Sequence, residues 1–518
     1  MSILTVENVS HGFGARKILD NASFRLLKGE HVGLVGANGE GKSTFLNIIT
    51  GKLMPDEGRV EWCNRITTGY LDQHTALTKG KTIREVLREA FGYMFDLERE
   101  MQQIYEKMGT ASEKELEIMM EDVGEIQSSL EHNGFYHLDA KIEEVANGLG
   151  LGEIGLDREV TDLSGGQRSK VLLTKLLLEN PMILIMDEPT NFLDVNHIVW
   201  LKNYLKNYEN SFILVSHDIP FLNEVVNVVY HVENAILTRY TGNYDDFQQM
   251  YQLKKVQNLK AYEKQQKEIE RLEDFVARNK ARAATANLAK SRQKKLDKMD
   301  LIEKDRVRLK PTFKFKEART TGKYVFQAVN LVIGYEEPLT KPLDLAMERG
   351  KKVAIKGVNG IGKSTLLKTL LGIQRPVAGA VTLDQFIRPG YFEQESGRFN
   401  NQTALEDLWN EFPGLSNAEA RGALAGCGLT KEHINTQMMV LSGGENAKVR
   451  LCKLMLREVN WLVLDEPTNH LDVDAKAELK RALREFKGSV IIVSHEPEFY
   501  EDWVTDVWNV DEWTTKVV

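Results

Sequence analysis

The chain has 518 residues, 42% of them apolar and 27% charged, with a formal net charge of −8. That length exceeds what one hydrophobic core holds, so two or more domains are expected, and the mild acidity argues against nucleic-acid binding by the surface as a whole. No apolar run is long enough to span a bilayer, and three scattered cysteines (Cys63, Cys427, Cys452) predict a reducing compartment and no structural zinc site.

In chain order, the N-terminus runs straight into a strand-like Val6-Glu7-Asn8-Val9 with no signal-peptide pattern, so a cytoplasmic location is expected. Phe13 follows in a glycine-flanked turn, where an aromatic face can stack on adenine; an ordinary loop aromatic is the plainer alternative. An apolar strand over 31–35 then leads into Gly36-Ala37-Asn38-Gly39-Glu40-Gly41-Lys42-Ser43, which fits GxxxxGK[ST], and a helix is predicted from Thr44 to 49. Backbone N–H groups of such a loop and of the helix start present unpaired donors to phosphates. Lys42 adds a point charge for the outer phosphates, and Ser43 a hydroxyl for Mg²⁺.

Gln73 lies 31 residues beyond Lys42, placed to sense Mg²⁺ and an attacking water. Next comes a segment, about 93–136, that reads as two helices joined at a Gly109-Thr110 turn, the second begun by a Ser112-x-x-Glu115 capping box. Between Asp96 and Glu131 it carries 11 acidic residues and 3 basic ones, an acidic hairpin whose bland reading is a solvated decoration. Leu163-Ser164-Gly165-Gly166-Gln167 follows, then a buried strand over 183–187 ending in Asp187-Glu188, and a further strand ending at His217. Asp187 suits Mg²⁺ and Glu188 a general base, while His217 is expected to contact the γ-phosphate.

Between Gly242 and Pro311 there is no glycine or proline. From Lys254 to Lys310 there are 18 Lys+Arg against 9 Asp+Glu. Apolar residues at helical spacing on both sides of a basic stretch (278–287) predict two antiparallel helices with a basic tip. Arg278, Lys280, Arg282, Lys290, Arg292, Lys294 and Lys295 fall in a window without any acid, and they are the candidate RNA contacts; a solvated linker is the alternative.

The first set of motifs then returns. Gly357-Val358-Asn359-Gly360-Ile361-Gly362-Lys363-Ser364-Thr365 repeats the phosphate loop, with Tyr335 ahead of it in the place of Phe13. Gln394 lies 31 residues after Lys363, as Gln73 does after Lys42. Leu441-Ser442-Gly443-Gly444-Glu445, Asp465-Glu466 and His495 keep the spacings of the first half, at a constant offset of 278 residues. The chain is therefore a duplication, with about 43 extra residues in the first copy where the acidic hairpin lies. The fold expected is α/β: two tandem P-loop ATPase domains, 1–247 and 323–518, joined by a basic helical linker over 248–322. Mg²⁺ is expected at Ser43, Gln73 and Asp187, and at Ser364, Gln394 and Asp465, with Glu188 and Glu466 as paired general bases beside His217 and His495.

These motifs together resemble the ATP-binding cassette ATPases over essentially the whole chain. The resemblance implies two nucleotide sites shared head-to-tail, Lys42 and Glu188 facing Ser442 and Gly444, and Lys363 and Glu466 facing Ser164 and Gly166. Three scattered cysteines speak against the zinc-bearing DNA-repair class, and an importer's ATPase has no use for a basic hairpin of this length. Glu466-Pro467-Thr468-Asn469-His470-Leu471-Asp472 resembles the ABC-F family of ribosome-associated translation factors, nearest the bacterial YbiT type; the first copy has Phe192 where the second has His470. That resemblance implies a cytoplasmic monomer that binds ATP and Mg²⁺ and docks near the ribosomal tRNA exit site. Its linker would face rRNA, the P-site tRNA and the peptidyl-transferase region, its acidic arm a stalk protein, and hydrolysis would drive release. An antibiotic-protection factor or, further off, a tandem importer subunit are the alternatives.

Overall fold

The computed structural model describes residues 2–513 apart from 14–15, 65, 72–76, 78, 110–111, 280–285, 300–309, 336, 359, 394–400 and 470. In the first half, β1 (Ser2–Phe13) pairs antiparallel with β2 (Arg16–Leu27). β3 (His31–Val35) runs into α1 (Lys42–Ile49), and β4 (Glu57–Trp62) adds to the other side of β1. The helix begins at Lys42, two residues earlier than the sequence suggests, because Gly41 at φ 104° closes the loop as its N-cap. After β5 (Thr68–Leu71) come α2 (Ile83–Arg88), the paired α3 (Gly92–Met108) and α4 (Glu113–His132), then α5 (Leu138–Gly148) and α6 (Gly165–Glu179). Ser112 begins α4 with Glu115: the Ser112 N–H and hydroxyl both donate to Glu115 Oε2, at 2.9 and 2.6 Å.

The main sheet is completed by β6 (Ile183–Asp187), β7 (Ser211–Val215), β8 (Val228–Glu233) and β9 (Ile236–Thr241), with α7 (Val195–Lys206) and α8 (Ile219–Val225) between them. Its strand order is β5-β6-β7-β3-β8-β9, parallel except for the last pair. A parallel strand covered on both faces reads as one apolar run, which is why Ile183-Leu184-Ile185-Met186 shows no alternation. One face packs on the helical subdomain (Leu184, Met186, Leu214 with Leu173, Leu177, Ile142) and the other on α1 and the antiparallel sheet (Ile183, Ile185, Ile213 with Phe24, Phe45).

The linker helix α9 (Tyr244–Asn279) grows directly from this core. Tyr244 and Phe247 are buried, Phe247 lies 5.1 Å from the Tyr240 ring, and the Tyr251 hydroxyl donates to Glu233 at 2.7 Å. α10 (Ala286–Asp297) folds back on it: the Arg292 guanidinium sits 4.1 Å from the Phe275 ring centroid, and Lys295 pairs with Glu268 at 2.6 Å. Arg278 also has a partner, Asp274 at 3.2 Å. Three of the candidate RNA contacts are thus partly engaged within the hairpin, while no described carboxylate lies within ion-pair distance of Lys290 or Lys294. Lys280 and Arg282 lie outside the described residues.

The chain re-enters the second half through a strap. Phe313 and Phe315 are buried, Thr312 N–H donates to Gly426 O at 2.7 Å, and β10 (Lys316–Glu317) will pair parallel with a short strand that follows the C-terminal end of the second signature helix. The second half repeats the first: β11 (Tyr324–Val332), β12 (Leu343–Glu348), β13 (Lys352–Lys356), α11 (Lys363–Leu370), β14 (Ala378–Leu383) and β15 (Pro389–Phe392). The helical subdomain follows, with α12 (Ala404–Glu411), α13 (Asn417–Gly426), α14 (Lys431–Asn435) and α15 (Gly443–Leu456). β16 (Glu458–Val459) is the partner of β10, and β17 (Trp461–Asp465), α16 (Val473–Glu485), β18 (Ser489–Val493), α17 (Pro497–Tyr500) and β19 (Asp506–Asn509) close the domain. Its parallel sheet is ordered β15-β17-β18-β13-β19. No helix among the described residues is long and apolar enough to cross a membrane.

Candidate nucleotide sites

Each phosphate loop folds its lysine back on itself. Lys42 Nζ donates to Gly36 O at 2.7 Å and Ala37 O at 3.1 Å; Lys363 Nζ donates to Gly357 O at 2.6 Å and Val358 O at 3.3 Å. Burial pulls both ammonium groups below the usual lysine range, against the pull of the adjacent carboxylates. The loop is drawn tight by its glycines: a Cβ on Gly41 would lie 2.4 Å from Ile18 Cγ2. Ser43 Oγ donates to Asp187 Oδ2 at 2.9 Å, and Ser364 bonds Asp465, whose Oδ2 is buried without a hydrogen-bond partner. A hydroxyl beside a carboxylate with spare oxygen lone pairs is the donor set of a hard divalent ion, so these residues fit Mg²⁺. Gln73 and Gln394, expected to complete both sets, and Asn359 of the second loop lie outside the described residues.

The glutamate after each of these aspartates is held in strain. Glu188 has φ 50° and Glu466 φ 48°, a left-handed backbone that non-glycine residues adopt at a cost of about 1–3 kcal/mol. The amide of each donates into the neighbouring strand, to Val215 O at 2.9 Å and Val493 O at 3.0 Å, and so fixes the turn. Burial raises both carboxyls to about 8, and the adjacent Asp187 and Asp465 add to the rise. The Oε1 atoms of both are buried without a hydrogen-bond partner, although His217 Nε2 is 3.5 Å from one and His495 Nε2 3.3 Å from the other. His495 is pushed down to about 3 by burial and by Lys363, so it is neutral and the contact to Glu466 is not an ion pair. A buried glutamate that accepts protons near neutrality, with an open oxygen lobe, is equipped to take a proton from water.

The two halves meet head-to-tail. A Cβ on Gly39, in the first phosphate loop, would lie 2.5 Å from Glu445 Oε1 of the second signature. Asp472, on the loop that starts α16, is among the charges acting on Lys42, and Asp194, at the start of α7, is among those acting on Lys363. Each of these aspartates is tied to its own signature helix: Lys448 to Asp472 at 2.7 Å, and Lys170 to Asp194 at 4.0 Å, with His197 intervening at 2.6 Å. The two sites are unequally closed. Gly444 and Glu445 are buried, whereas Gly165 and Gly166 are exposed and Gln167 is half-buried. A Cβ on Gly360 would meet nothing within 4 Å.

Ser164 and Ser442 cap their helices, accepting from Gln167 N and Glu445 N at 3.3 Å each, so that Gly165 and Gly443 open α6 and α15. Thr44 and Thr365 lie in the first turns of α1 and α11, while Phe13 (58% exposed) ends β1 and Tyr335 (74% exposed) follows β11, each at the end of the central strand of its antiparallel sheet. His217 Nε2 is 2.9 Å from Asn38 Oδ1, linking the histidine to the loop. Sequence reasoning missed Lys476 of α16, which pairs with Glu496 at 2.7 Å and is one of the cations acting on Glu188 of the other half. Its counterpart at the 278-residue offset is Ile198, a difference open to anyone comparing the two copies.

The sequence profile of the ABC transporter family matches residues 19–191 and 340–469, and a second ABC transporter profile, an extension, matches 230–315. A Bacillus subtilis protein described as uncharacterized ABC transporter ATP-binding protein YfmM is 62% identical over the full length of both chains. ABC transporter F family member 2 of Arabidopsis thaliana is 35% identical over 98% of this chain and 75% of its own. The probable ATP-binding protein YbiT of Escherichia coli O157:H7 is 31% identical over 98% and 96%. Among solved structures, the complex of an archaeal ribosomal stalk protein with the archaeal ribosome recycling factor aABCE1 gives a TM-score of 0.56 at 21% identity, covering 97% of this chain and 87% of that one. At that identity the likeness is one of fold.

Proposed function

The chain belongs to the ABC-F family of ATP-binding cassette ATPases, and from that premise we propose that it is a ribosome-binding factor whose nucleotide state sets the pose of its linker. ATP would bind between each phosphate loop and the facing signature, drawing the halves together. Glu188 and Glu466 would then each take a proton from the attacking water, while His217 and His495 hold the γ-phosphate end of the site. Ser43 with Asp187, and Ser364 with Asp465, would hold Mg²⁺, which offsets phosphate charge when bound. Hydrolysis removes the bridging phosphate and lets the halves part.

One observation carries this reading. α9 leaves the core of the first half without a break, and the strap of Phe313 and Phe315 is buried beside the signature helix of the second. A hairpin fastened at both ends to bodies that close on ATP moves when they do, and its basic side suits an RNA-walled cavity. The family resemblance supports docking near the tRNA exit site, with the linker towards the P-site tRNA and peptidyl-transferase region and the acidic α3–α4 arm towards a basic stalk protein. It also supports a monomer working in the cytoplasm. Glu188→Gln with Glu466→Gln should hold the closed state and co-sediment with ribosomes in ATP but not in ADP. Failure to co-sediment while ATP is still bound would overturn the ribosome reading; capture of a membrane partner instead would favour an importer subunit.

A further inference from the structure

The second half departs from the first at two positions that touch each other, one in the signature and one on α14. Glu445 stands where the first copy has Gln167, and His433 where it has Gly155. His433 Nε2 is 3.0 Å from Glu445 Oε1, and both side chains are 9% exposed. The Thr430 N–H donates to His433 Nδ1 at 3.4 Å, which leaves the ring hydrogen on Nε2, where Glu445 accepts it. The other carboxylate oxygen, Oε2, accepts from the Ser442 N–H at 3.0 Å. Both lobes are therefore held by the second half itself, one by the helix start and one by α14.

That held carboxylate is what the first phosphate loop meets. A Cβ on Gly39 would lie 2.5 Å from Glu445 Oε1 and 3.5 Å from both Cε1 and Nε2 of His433. An anion at this position works against the purpose of the site, since a triphosphate on the loop brings further negative charge into a poorly solvated gap. The neutral amide of Gln167 raises no such conflict, and opposite it, at the other site, the counterpart of His433 is a glycine.

We propose that His433 is a positioning residue for ATP at the site built by Lys42 and Ser442: by donating to Oε1 it turns and partly neutralises Glu445, so that this signature can close on a triphosphate. The inference rests on the head-to-tail reading of the sites and names the side chain that makes a glutamate usable there. It also predicts that the two residues act as a unit, which a merely structural histidine would not do.

The test is a double-mutant cycle on the full-length protein, read as kcat/KM for ATP hydrolysis. Against Glu445, His433→Ala should lower kcat/KM about tenfold, mainly through KM, as expected for a lost hydrogen bond to a charged group. Made in the Glu445→Gln chain, the same change should alter kcat/KM less than about twofold relative to that chain. His433→Gln, whose amide can donate from the place of Nε2, should recover most of the loss and covers the case in which His433→Ala folds poorly. An equal loss in both backgrounds, or no recovery with Gln, would overturn the proposal. Lys42→Ala separates the two levels: if it leaves KM unchanged, the site assignment fails and not the pairing.

Discussion

Lys363 Nζ donates to His495 Nε2 at 2.8 Å. The phosphate-loop lysine of the second half is thus held by the histidine expected to meet the γ-phosphate, and the same imidazole stands 3.3 Å from Glu466. Three groups expected to act on one phosphate and one water are already gathered, with the lysine charge shared between loop carbonyls and a neutral ring. Arriving phosphate replaces weak acceptors with strong ones, so little has to move.

His495→Ala should therefore lower steady-state ATP turnover about 10²-fold, in the range general acid–base and positioning groups contribute. Because the ring is already neutral, pushed down to about 3, its loss should change the height of the pH–rate profile and leave the acid limb in place. A shifted limb, measured between pH 5.5 and 9, would show that His495 titrates in the working range after all.

The buried glutamates make stability depend on pH in a stated direction. Glu188 and Glu466 hold protons up to about 8 against an ordinary 4.5, so the folded state binds more protons than the unfolded one across that window. Their contribution is present below the ordinary value and is lost as pH rises towards about 8. His495 acts oppositely, costing stability as pH falls below 6.5 towards about 3, so above 6.5 it no longer opposes the downward slope that the glutamates give. The thermal midpoint of nucleotide-free protein should fall over that interval. Glu188→Gln with Glu466→Gln should flatten the fall and raise the midpoint at pH 8 by about 2–4 °C per kcal/mol recovered.

Lys476 gives the two buried glutamates different surroundings. It acts on Glu188, and the equivalent Ile198 supplies no charge to Glu466. Lys476→Ile should move the acid limb of ATP turnover to higher pH in a Glu466→Gln chain and leave it unmoved in a Glu188→Gln chain. Equal shifts in both would mean that Lys476 acts through stability alone.

Among the basic residues of the hairpin, Lys290 and Lys294 are the better probes of RNA contact. Arg278, Arg292 and Lys295 have partners inside the hairpin, and Ala at those positions would change its packing as well as its charge. Lys290→Ala with Lys294→Ala should reduce the log–log salt slope of ribosome binding by about 0.7–0.9 per lost phosphate contact. An unchanged slope would leave these lysines as solvated charge.

The duplication, the sheets and both phosphate loops were legible in the sequence because each depends on local runs: a strand that must be apolar throughout, glycines that must turn, a lysine that must follow. The left-handed backbone of Glu188 and Glu466 was not, since glutamate is a poor predictor of positive φ and only the neighbouring strands enforce it. His433 with Glu445, and Lys476 near Glu188, were hidden for another reason: each pairing depends on how separate elements, or the two halves, come together. The acid-free window around the linker tip was visible, but the partners of its charges sit one helix away on α9.

The strap of Phe313 and Phe315 and the root of α9 at Tyr244 and Phe247 fasten the hairpin at its base, and among the described residues none of α9 beyond Tyr251 and none of α10 belongs to either core. Recoding the described outer residues of α9 and α10 therefore leaves the packing of both cores as it is. One ATP-driven engine can accept interchangeable tips, and selection can retune what the protein touches without renegotiating how it burns fuel.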